Sequence, residues 1–299
     1  MEIKRIIAAT ILSALILIGF DYFMPKPHQD SHPAVTQTAA TQSPSTPAQA
    51  APSEAAPEQT VTARRIAITS EDVQGSLNLK GALLDDAVLT KYRATLAKDS
   101  PLVRLLDKPG SEHPNFFVIG WNNAPGSNAK VPDLNTVWSS ADEALSPGHP
   151  VTLKWDNGEG LIFTIQISID EHYMFSVVQS VENHSAQPVA LVPFQRVQRD
   201  YQAAEGFWTA HEGPIAVMDG RLNDETYKNV RKGAEHPDHT FWAKAGTGGW
   251  GGISDKYWLT AVAPEATAAV TASFAYVPGN PGSYQIGFAP QAPQQVMPN

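Results

Sequence analysis

The sequence predicts a mostly β protein, a large antiparallel sandwich that is preceded by one transmembrane α-helix. Three features indicate this fold class: one apolar run near the start, a low-complexity stretch after it, and short alternating segments beyond residue 61. With 299 residues, 42% hydrophobic and 17% charged, the chain is long enough for an anchor and one large domain.

The apolar run covers residues 6–24, and it contains no charged residue before Asp21. A helix of this length spans roughly 28 Å at about 1.5 Å per residue, close to the ~30 Å hydrocarbon thickness. Lys4 and Arg5 precede the run, which favours a cytoplasmic location for residues 1–5 and export of the remainder. The lipid bilayer is therefore the expected partner of residues 6–24.

A cleaved signal peptide is the alternative interpretation of this run, because it also combines a basic start with an apolar segment. A small-x-small cleavage site should follow such a segment closely. The first candidate, Ala48-Gln49-Ala50, lies too far downstream. Retention of the segment as an anchor is therefore favoured.

Residues 25–60 consist mainly of Pro, Ala, Gln, Ser and Thr. Such a stretch cannot bury enough apolar surface to offset the entropy of ordering it. We expect an extended, mobile linker between the anchor and a domain at residues 61–299.

The clearest strand of this domain is predicted at Leu161 to Asp170, where Leu, Phe and Ile alternate with polar residues. This period of two buries one face of a strand. Asp170, Glu171 and His172 form the predicted turn, and the alternation continues from Tyr173 to Val181. The other predicted strands are Arg64 to Thr69, Ser76 to Leu79, Leu83 to Lys91, Val151 to Trp155, Val189 to Gln198, Trp258 to Val262, Ala269 to Tyr276 and Ser283 to Phe288.

Composition excludes several classes of function. The net charge of −9 and the absence of a basic cluster argue against a nucleic-acid partner. The chain has no cysteine, which excludes disulfides, a thiolate nucleophile and zinc-thiolate sites.

Four local motifs suggest chemistry, and each has a more ordinary explanation. His236 and His239 are separated by a proline and lack the helix that holds a metal-binding histidine pair. Gly246 to Gly252 has neither phosphate-loop nor dinucleotide-loop context and is better explained as a turn where backbones approach closely. His211-Glu212 is expected to form a hydrogen-bonded loop corner. Asp255 to Trp258 is expected to open a strand, with its aromatic side chains in the core and Asp255 and Lys256 pairing or capping. We therefore predict no catalytic, cofactor-binding or metal-binding residues.

The order of segments along the chain resembles the N-terminal half of the YidC family of membrane protein insertases. After the anchor and linker come 155-WDNGEGL-161, 169-IDEHYMF-175, 181-VEN-183, 211-HEG-213 and 249-GWGGISDKYW-258. The last segment is the most specific. Leu77 to Ala82, followed by Asp85, Asp86 and Tyr92, is also similar to the family.

The resemblance implies a periplasmic, mutarotase-like β-supersandwich tethered in the inner membrane. It also implies a role in insertion, folding and assembly of inner-membrane proteins, with and without the Sec translocon. The implied partners are nascent inner-membrane proteins, the Sec translocon and its SecD/SecF accessory proteins, and no enzymatic activity or cofactor is implied.

The sequence departs from the family in one respect. In the family, insertion depends on five further transmembrane helices with a groove that carries an arginine, and no second apolar run of spanning length occurs before Asn299. We therefore expect a truncated product or fragment, whose domain is incomplete at the polar, proline-containing tail from Ala289 to Asn299.

Two alternatives from other classes remain at this stage. One is a membrane-tethered carbohydrate-binding or mutarotase-like domain, in which Trp121, Trp138 and Trp208 line a sugar platform, although buried tryptophans are the more common case. The other is a structural periplasmic adaptor.

Overall fold

The structure is a computed structural model that describes residues 64–200, 211–255 and 257–299. The predicted cytoplasmic residues 1–5, the anchor at 6–24 and the linker at 25–60 lie outside the described residues, as do Trp208 and Lys256. Within the described ranges, no helix is long and apolar enough to cross a membrane.

Eighteen strands account for most of the described residues, and they are joined by short turns and loops. In chain order they are β1 (Arg65–Thr69), β2 (Val73–Asn78), β3 (Leu83–Arg93), β4 (Leu102–Leu106), β5 (Asn115–Asn123), β6 (Ala144–Leu145), β7 (Val151–Asp156), β8 (Leu161–Ile169), β9 (Phe175–Asn183), β10 (Val189–Asp200), β11 (Gly213–Met218), β12 (Arg221–Asp224), β13 (Thr240–Thr247), β14 (Trp250–Ser254), β15 (Leu259–Val262), β16 (Ala269–Val277), β17 (Ser283–Pro290) and β18 (Gln294–Val296). Helical structure among these residues is limited to α1 (Tyr227–Val230) and a 3-10 helix (Arg231–Glu235).

The strands form three sheets. The largest has eleven strands in the order β13-β16-β17-β10-β5-β3-β2-β1-β6, with β18 added to β10 and β4 to β3. A four-stranded sheet has the order β12-β11-β14-β15, and a three-stranded sheet has the order β7-β8-β9. Neighbouring strands are antiparallel except β1 and β6. The predicted mostly β, antiparallel class is confirmed.

The hairpin formed by β8 and β9 shows how local sequence determines structure here. Along β8 the odd-numbered residues are buried, and every even-numbered one has some exposure. Leu161 pairs with Asn183 and Ile169 with Phe175, so the turn falls at residues 170–174, two residues longer than the predicted turn at 170–172. Two peptide N–H groups of this turn, those of His172 and Met174, donate to Asp170 Oδ1.

The two smaller sheets cover the same face of the large sheet. Leu191 and Val197 lie six residues apart on β10, whose register with β5 is unbroken, so their side chains share a face. Leu191 belongs to the core beneath the three-stranded sheet, and Val197 belongs to the core beneath the four-stranded sheet. Phe117 on β5 contacts both cores, which places it between them.

Several strands were missed by the sequence prediction, and β5 is the most central of them. Its residues are almost all buried, with Phe116 and Val118 on one face and Ile119 and Trp121 on the other. A strand that is covered on both faces shows no alternation, so a period-two pattern cannot identify it.

The polar, proline-containing tail from Ala289 to Asn299 forms part of the large sheet, and the expectation that the domain is incomplete there stays a prediction. Strand β17 continues to Pro290, and β18 pairs with β10 from Val189 to Leu191. The reason is that β10 has an open edge at this end, and β18 satisfies its backbone hydrogen bonds despite the polar side chains of Gln294 and Gln295.

Substitution of Phe163 tests the first core. This side chain is fully buried on β8, and its ring centroid lies 5.1 Å from that of Trp121 and 5.5 Å from that of Trp155. We expect Phe163→Ala to lower the free energy of unfolding by about 3–5 kcal/mol, because it removes apolar contacts and leaves a cavity.

The measurement is the urea midpoint of the full chain, with Phe163→Leu as the control. We expect Phe163→Leu to be clearly less destabilising, since leucine refills much of the volume. Equal losses for the two variants would contradict the assignment of this position to a tightly packed core.

Candidate docking surface

Both ends of the described domain lie at one end of the large sheet. Near the start, the Leu79 N–H donates to the Arg64 carbonyl at 3.1 Å. At the other terminus, the Asn299 N–H donates to the Asn183 carbonyl at 2.8 Å. Strand β5 runs antiparallel to both β3 and β10, with Leu84 opposite Phe117 and Asn123 opposite Leu191. The starts of β3 and β10 therefore lie toward the same end of the sheet, and both contacts lie at that end. We call it the proximal end.

The opposite end carries a group of large, partly exposed side chains. We call this group the distal aromatic surface, and it consists of Tyr92, Tyr173, Met174, Trp258 and Leu259. Tyr92 lies near the end of β3, Tyr173 and Met174 in the β8–β9 turn, and Trp258 and Leu259 at the start of β15. Met174 is 66% exposed and Tyr173 43% exposed.

Direct contacts hold this surface together across the three sheets. The rings of Tyr92 and Trp258 meet edge to face, with centroids 5.1 Å apart and planes at 74°. Tyr92 also lies close enough to Tyr173 to raise the pKa of its phenol. Because Tyr92 belongs to the large sheet, Tyr173 to the β8–β9 hairpin and Trp258 to the segment before β15, the surface joins all three sheets.

A group of charged residues supports the surface from β2 and β3. Asp72 is buried, and its carboxylate forms an ion pair with Lys91. Lys91 Nζ also lies 2.7 Å from Glu71 Oε1, and His172 Nδ1 lies 3.4 Å from Asp72 Oδ2. The Thr90 N–H donates to the Asp72 carbonyl at 3.0 Å. These contacts fix the end of β3, on which Tyr92 lies.

The electrostatics follow from these contacts. The hydrogen bond from Lys91 lowers the pKa of Asp72, and burial opposes this effect only in part. In turn, the hydrogen bond to Asp72 raises the pKa of Lys91. Desolvation raises the pKa of Tyr173, with smaller contributions from Tyr92 and the negative charge of Asp72. At neutral pH the surface therefore presents the neutral phenol of Tyr173 beside a paired carboxylate and ammonium.

Such an arrangement is suited to binding another macromolecule. Tyrosine and tryptophan present apolar area together with a hydrogen-bonding group, and both are enriched where proteins meet. The supporting charges are paired with each other, so they are not positioned for proton transfer to a substrate. The geometry favours a docking surface.

The predicted loop corner at His211 and Glu212 is confirmed. His211 Nε2 lies 3.3 Å from the Pro214 carbonyl oxygen, and Ser254 Oγ donates to the His211 carbonyl at 3.0 Å. His211 Nδ1 lies 3.8 Å from Asp224 Oδ2. These contacts join the start of β11 to β12 and β14, which is a structural role.

The prediction for the segment Asp255 to Trp258 was partly wrong. Asp255 pairs with Arg199 at 2.9 Å, and its N–H donates to the Trp258 carbonyl at 2.8 Å, so the pairing role is confirmed. Tyr257, however, is 75% exposed rather than in the core. The segment forms a turn before β15, and a turn at the end of a sheet has core on one side only.

Other sequence motifs also have structural positions. The predicted close backbone approach in the glycine-rich segment is confirmed, because a Cβ on Gly252 would lie 2.0 Å from the Thr260 carbonyl oxygen. His236 and His239 lie in a turn in which the His239 N–H donates to the His236 carbonyl. Within residues 64–200, 211–255 and 257–299, no group of three or more histidine and acidic residues is positioned for a metal ion.

Trp121 and Trp138 do not form a sugar platform. Each is 3% exposed, and their rings stack within the first core with centroids 6.3 Å apart. These two residues therefore give no support to the carbohydrate-binding alternative.

The acidic pair of β3 is also structural. Asp85 is buried and forms an ion pair with Arg65, while Asp86 pairs with Arg104 and accepts a hydrogen bond from Ser76 Oγ at 2.7 Å. These contacts tie β1, β2, β3 and β4 together on the face away from the smaller sheets.

The three sheets and the distal aromatic surface define a class of protein, namely an antiparallel β domain with a partly exposed aromatic surface at one end. The model of the YidC periplasmic domain family matches residues 65–299. The chain belongs to this family, and the predicted resemblance is confirmed.

Full-length relatives support the same assignment. The chain is similar to the membrane protein insertases YidC of Acidiphilium cryptum (42% identical, covering 78% of this chain and 41% of the relative), Granulibacter bethesdensis (39%, 99% and 52%) and Nitrobacter hamburgensis (42%, 91% and 46%). The chain spans about half the length of these relatives. Their name describes insertion of proteins into membranes and not an enzymatic reaction, as predicted.

The Asp72–Lys91 pair predicts a specific dependence of stability on pH. Because the folded state lowers the pKa of Asp72, its ionised form stabilises the fold at pH values above the ordinary aspartate pKa of about 3.9. This contribution disappears as the pH falls through the lowered pKa. We expect Asp72→Asn to be less stable than the natural chain at pH 7 and the difference to shrink below about pH 4.

Urea midpoints of both chains at pH 7, 5, 4 and 3 provide the measurement. Glu71→Gln is the control, since Glu71 lies beside Asp72 but is well exposed. A difference between the Asp72→Asn and natural chains that stays constant from pH 7 to pH 3 would contradict the assigned ion pair.

Proposed function

We propose that this chain is the membrane anchor and periplasmic domain of an insertase that acts in insertion, folding and assembly of inner-membrane proteins. The observation that carries this proposal is the family match across residues 65–299, together with full-length relatives named membrane protein insertase YidC. In this proposal residues 6–24 cross the inner membrane, residues 1–5 are cytoplasmic, and the domain at 61–299 is periplasmic.

The physical chemistry of insertion limits what this domain contributes. Transfer of a polar flank across hydrocarbon is costly, and a partly hydrated path within the bilayer lowers that cost. A β domain outside the bilayer does not provide such a path. We therefore propose that the domain supplies docking or chaperone surface, while the insertion step belongs to membrane-embedded segments of the full-length protein.

The proposed partners are nascent inner-membrane proteins, the Sec translocon and its SecD/SecF accessory proteins. The distal aromatic surface supports contact with an accessory protein, because it is an amphipathic surface that contacts between the three sheets hold in place. Tyr92 and Tyr173 lie at its centre and offer hydrogen-bonding groups on apolar rings.

We also propose that the fold is a β-supersandwich. The large sheet and the two smaller sheets that cover one of its faces support this, since the arrangement is a sandwich extended sideways over two cores.

A depletion experiment tests whether residues 1–299 supply docking surface only and leave the insertion step to other segments of the full-length protein. In cells depleted of their full-length insertase, we expect production of residues 1–299 to leave insertion of a dependent substrate at the depleted level. The measurement is protease accessibility of the substrate's exported segment, and a full-length relative is the positive control. Restored insertion by residues 1–299 would contradict the proposed role.

A cross-linking experiment tests the proposed contact. We expect a photoreactive amino acid at Tyr173 to cross-link to SecD or SecF, and Tyr92→Ala to reduce the yield about fivefold or more by removing the supporting ring. Leu222 on β12 is the control position, because it is 59% exposed but lies outside the distal aromatic surface. Equal yields from positions 173 and 222 would contradict the assignment.

A further inference from the structure

Strand β9 is a free edge of the three-stranded sheet. It has nine residues and pairs with β8 along one side, and no described strand pairs with its other side. The free edge of a sheet presents a row of peptide N–H and C=O groups, which is a template for another strand.

The register identifies the residues that carry this row. Antiparallel pairs alternate between those that exchange two hydrogen bonds and those that exchange none. His184 N–H donates to the Gly160 carbonyl at 2.7 Å, so the next pair, Leu161 and Asn183, is of the second kind. The odd-numbered residues of β9 therefore direct their peptide groups away from β8.

One end of this row is already used, which confirms the direction. The Asn183 carbonyl accepts from the Asn299 N–H at 2.8 Å. Among the described residues, the outward peptide groups of Phe175, Val177, Gln179 and Val181 have no hydrogen-bond partner. Four successive outward residues match the length of a short added strand.

Two other edges of the molecule, those of β7 and β13, are protected, and β9 is not. The outer side of β7 is covered, because Ser139 exchanges backbone hydrogen bonds with Lys154, and the Thr152 N–H donates to Asp142. On β13, a register irregularity at Thr240 and a lysine at position 244 disrupt the edge. Bulges, lysines and covering segments are the usual means of preventing strand addition.

The sequence of β9 favours addition instead. From Phe175 to Val181 it reads FSVVQSV, with no charge, proline or glycine, and its register with β8 is unbroken. Val178 is 59% exposed on its outer face. An exposed β-branched residue in the middle of an edge strand offers a cross-strand partner to an incoming apolar side chain.

A cleft lies next to this edge, between the two smaller sheets. It has a volume of about 180 Å³, and Gln179 of β9 lines one side. Apolar residues that include Val262, Phe288 and Pro290 form most of the remaining lining, together with Gln195 and Glu265. Side chains of an added strand that point inward would enter this cleft.

We propose that the free edge of β9 binds an extended polypeptide segment by strand addition. The ligand class follows from the chemistry of the edge, since alternating N–H and C=O groups about 6.8 Å apart are matched by another strand's backbone. The cleft selects apolar residues at alternate positions of the added strand, and Val178 contacts the side chains on the strand's other face. Because most of the binding is through the main chain, the site accepts many sequences. The proposal is independent of the distal aromatic surface.

The test uses the full chain in lipid nanodiscs and a synthetic peptide of alternating Thr and Val with a Lys at each end. We expect the peptide to slow hydrogen exchange at the amides of Val177, Gln179 and Val181, as measured by mass spectrometry with residue-level fragmentation. A peptide N-methylated at alternate residues is the matched control, and we expect it not to slow exchange there, because the donors that face β9 are lost.

Two charge variants complete the test. We expect Val178→Lys to weaken peptide binding about fivefold or more, while Val178→Thr stays within about twofold of the natural chain. Leu222→Lys is the matched control, with the same added charge at the same 59% exposure on a different edge strand. All three variants should keep the natural urea midpoint within error, since both positions are exposed.

Three results would overturn the proposal. The first is equal binding of the methylated and unmethylated peptides, and the second is equal weakening by Val178→Lys and Leu222→Lys. The third is protection of the β9 amides by a dimer in the absence of peptide, because the ligand would then be a second copy of the chain.

Discussion

The apolar face of the eleven-stranded sheet is the constraint on which the other features depend. A sheet this wide cannot leave one hydrophobic face in water, and a single small sheet cannot cover it. A three-stranded and a four-stranded sheet lie side by side on that face and together cover it. Strand β10 contributes to both cores, because Leu191 lies beneath the three-stranded sheet and Val197 lies beneath the four-stranded sheet. Phe117 lies between the two cores.

Both candidate binding surfaces are consequences of this arrangement. Two small sheets that lie side by side must each end in an edge strand. The cleft next to β9 lies where the two small sheets face each other. Strand β9 forms one wall of it, so its free edge results from dividing the cover into two sheets. At the end of the covers, the β8–β9 turn projects over β3, which brings Tyr173 to Tyr92. The surfaces therefore depend on the cores beneath them for their position.

The sequence predicted the parts of this structure in which one face of a strand is buried and the other is exposed. Strands β8 and β9 are the clearest example, since Leu161 to Val181 alternates and contains its own turn. Strand β5 could not be found in this way because both of its faces are buried, and β18 could not because its pairing depends on an open edge far away in sequence. The distal aromatic surface was also missed. Tyr92, Tyr173 and Trp258 lie on three separate segments, and only the sheet arrangement brings them together.

The distal aromatic surface is held in place by the charged residues beneath it. The Asp72–Lys91 pair and the hydrogen bond from the Thr90 N–H fix the end of β3, and His172 Nδ1 of the β8–β9 turn lies 3.4 Å from Asp72 Oδ2. A rigid distal surface and a free edge on the side of the same domain give it two ways to hold other chains. One binds through side chains and is selective, and the other binds through the backbone and accepts many sequences. This combination suits a domain whose relatives are named membrane protein insertases.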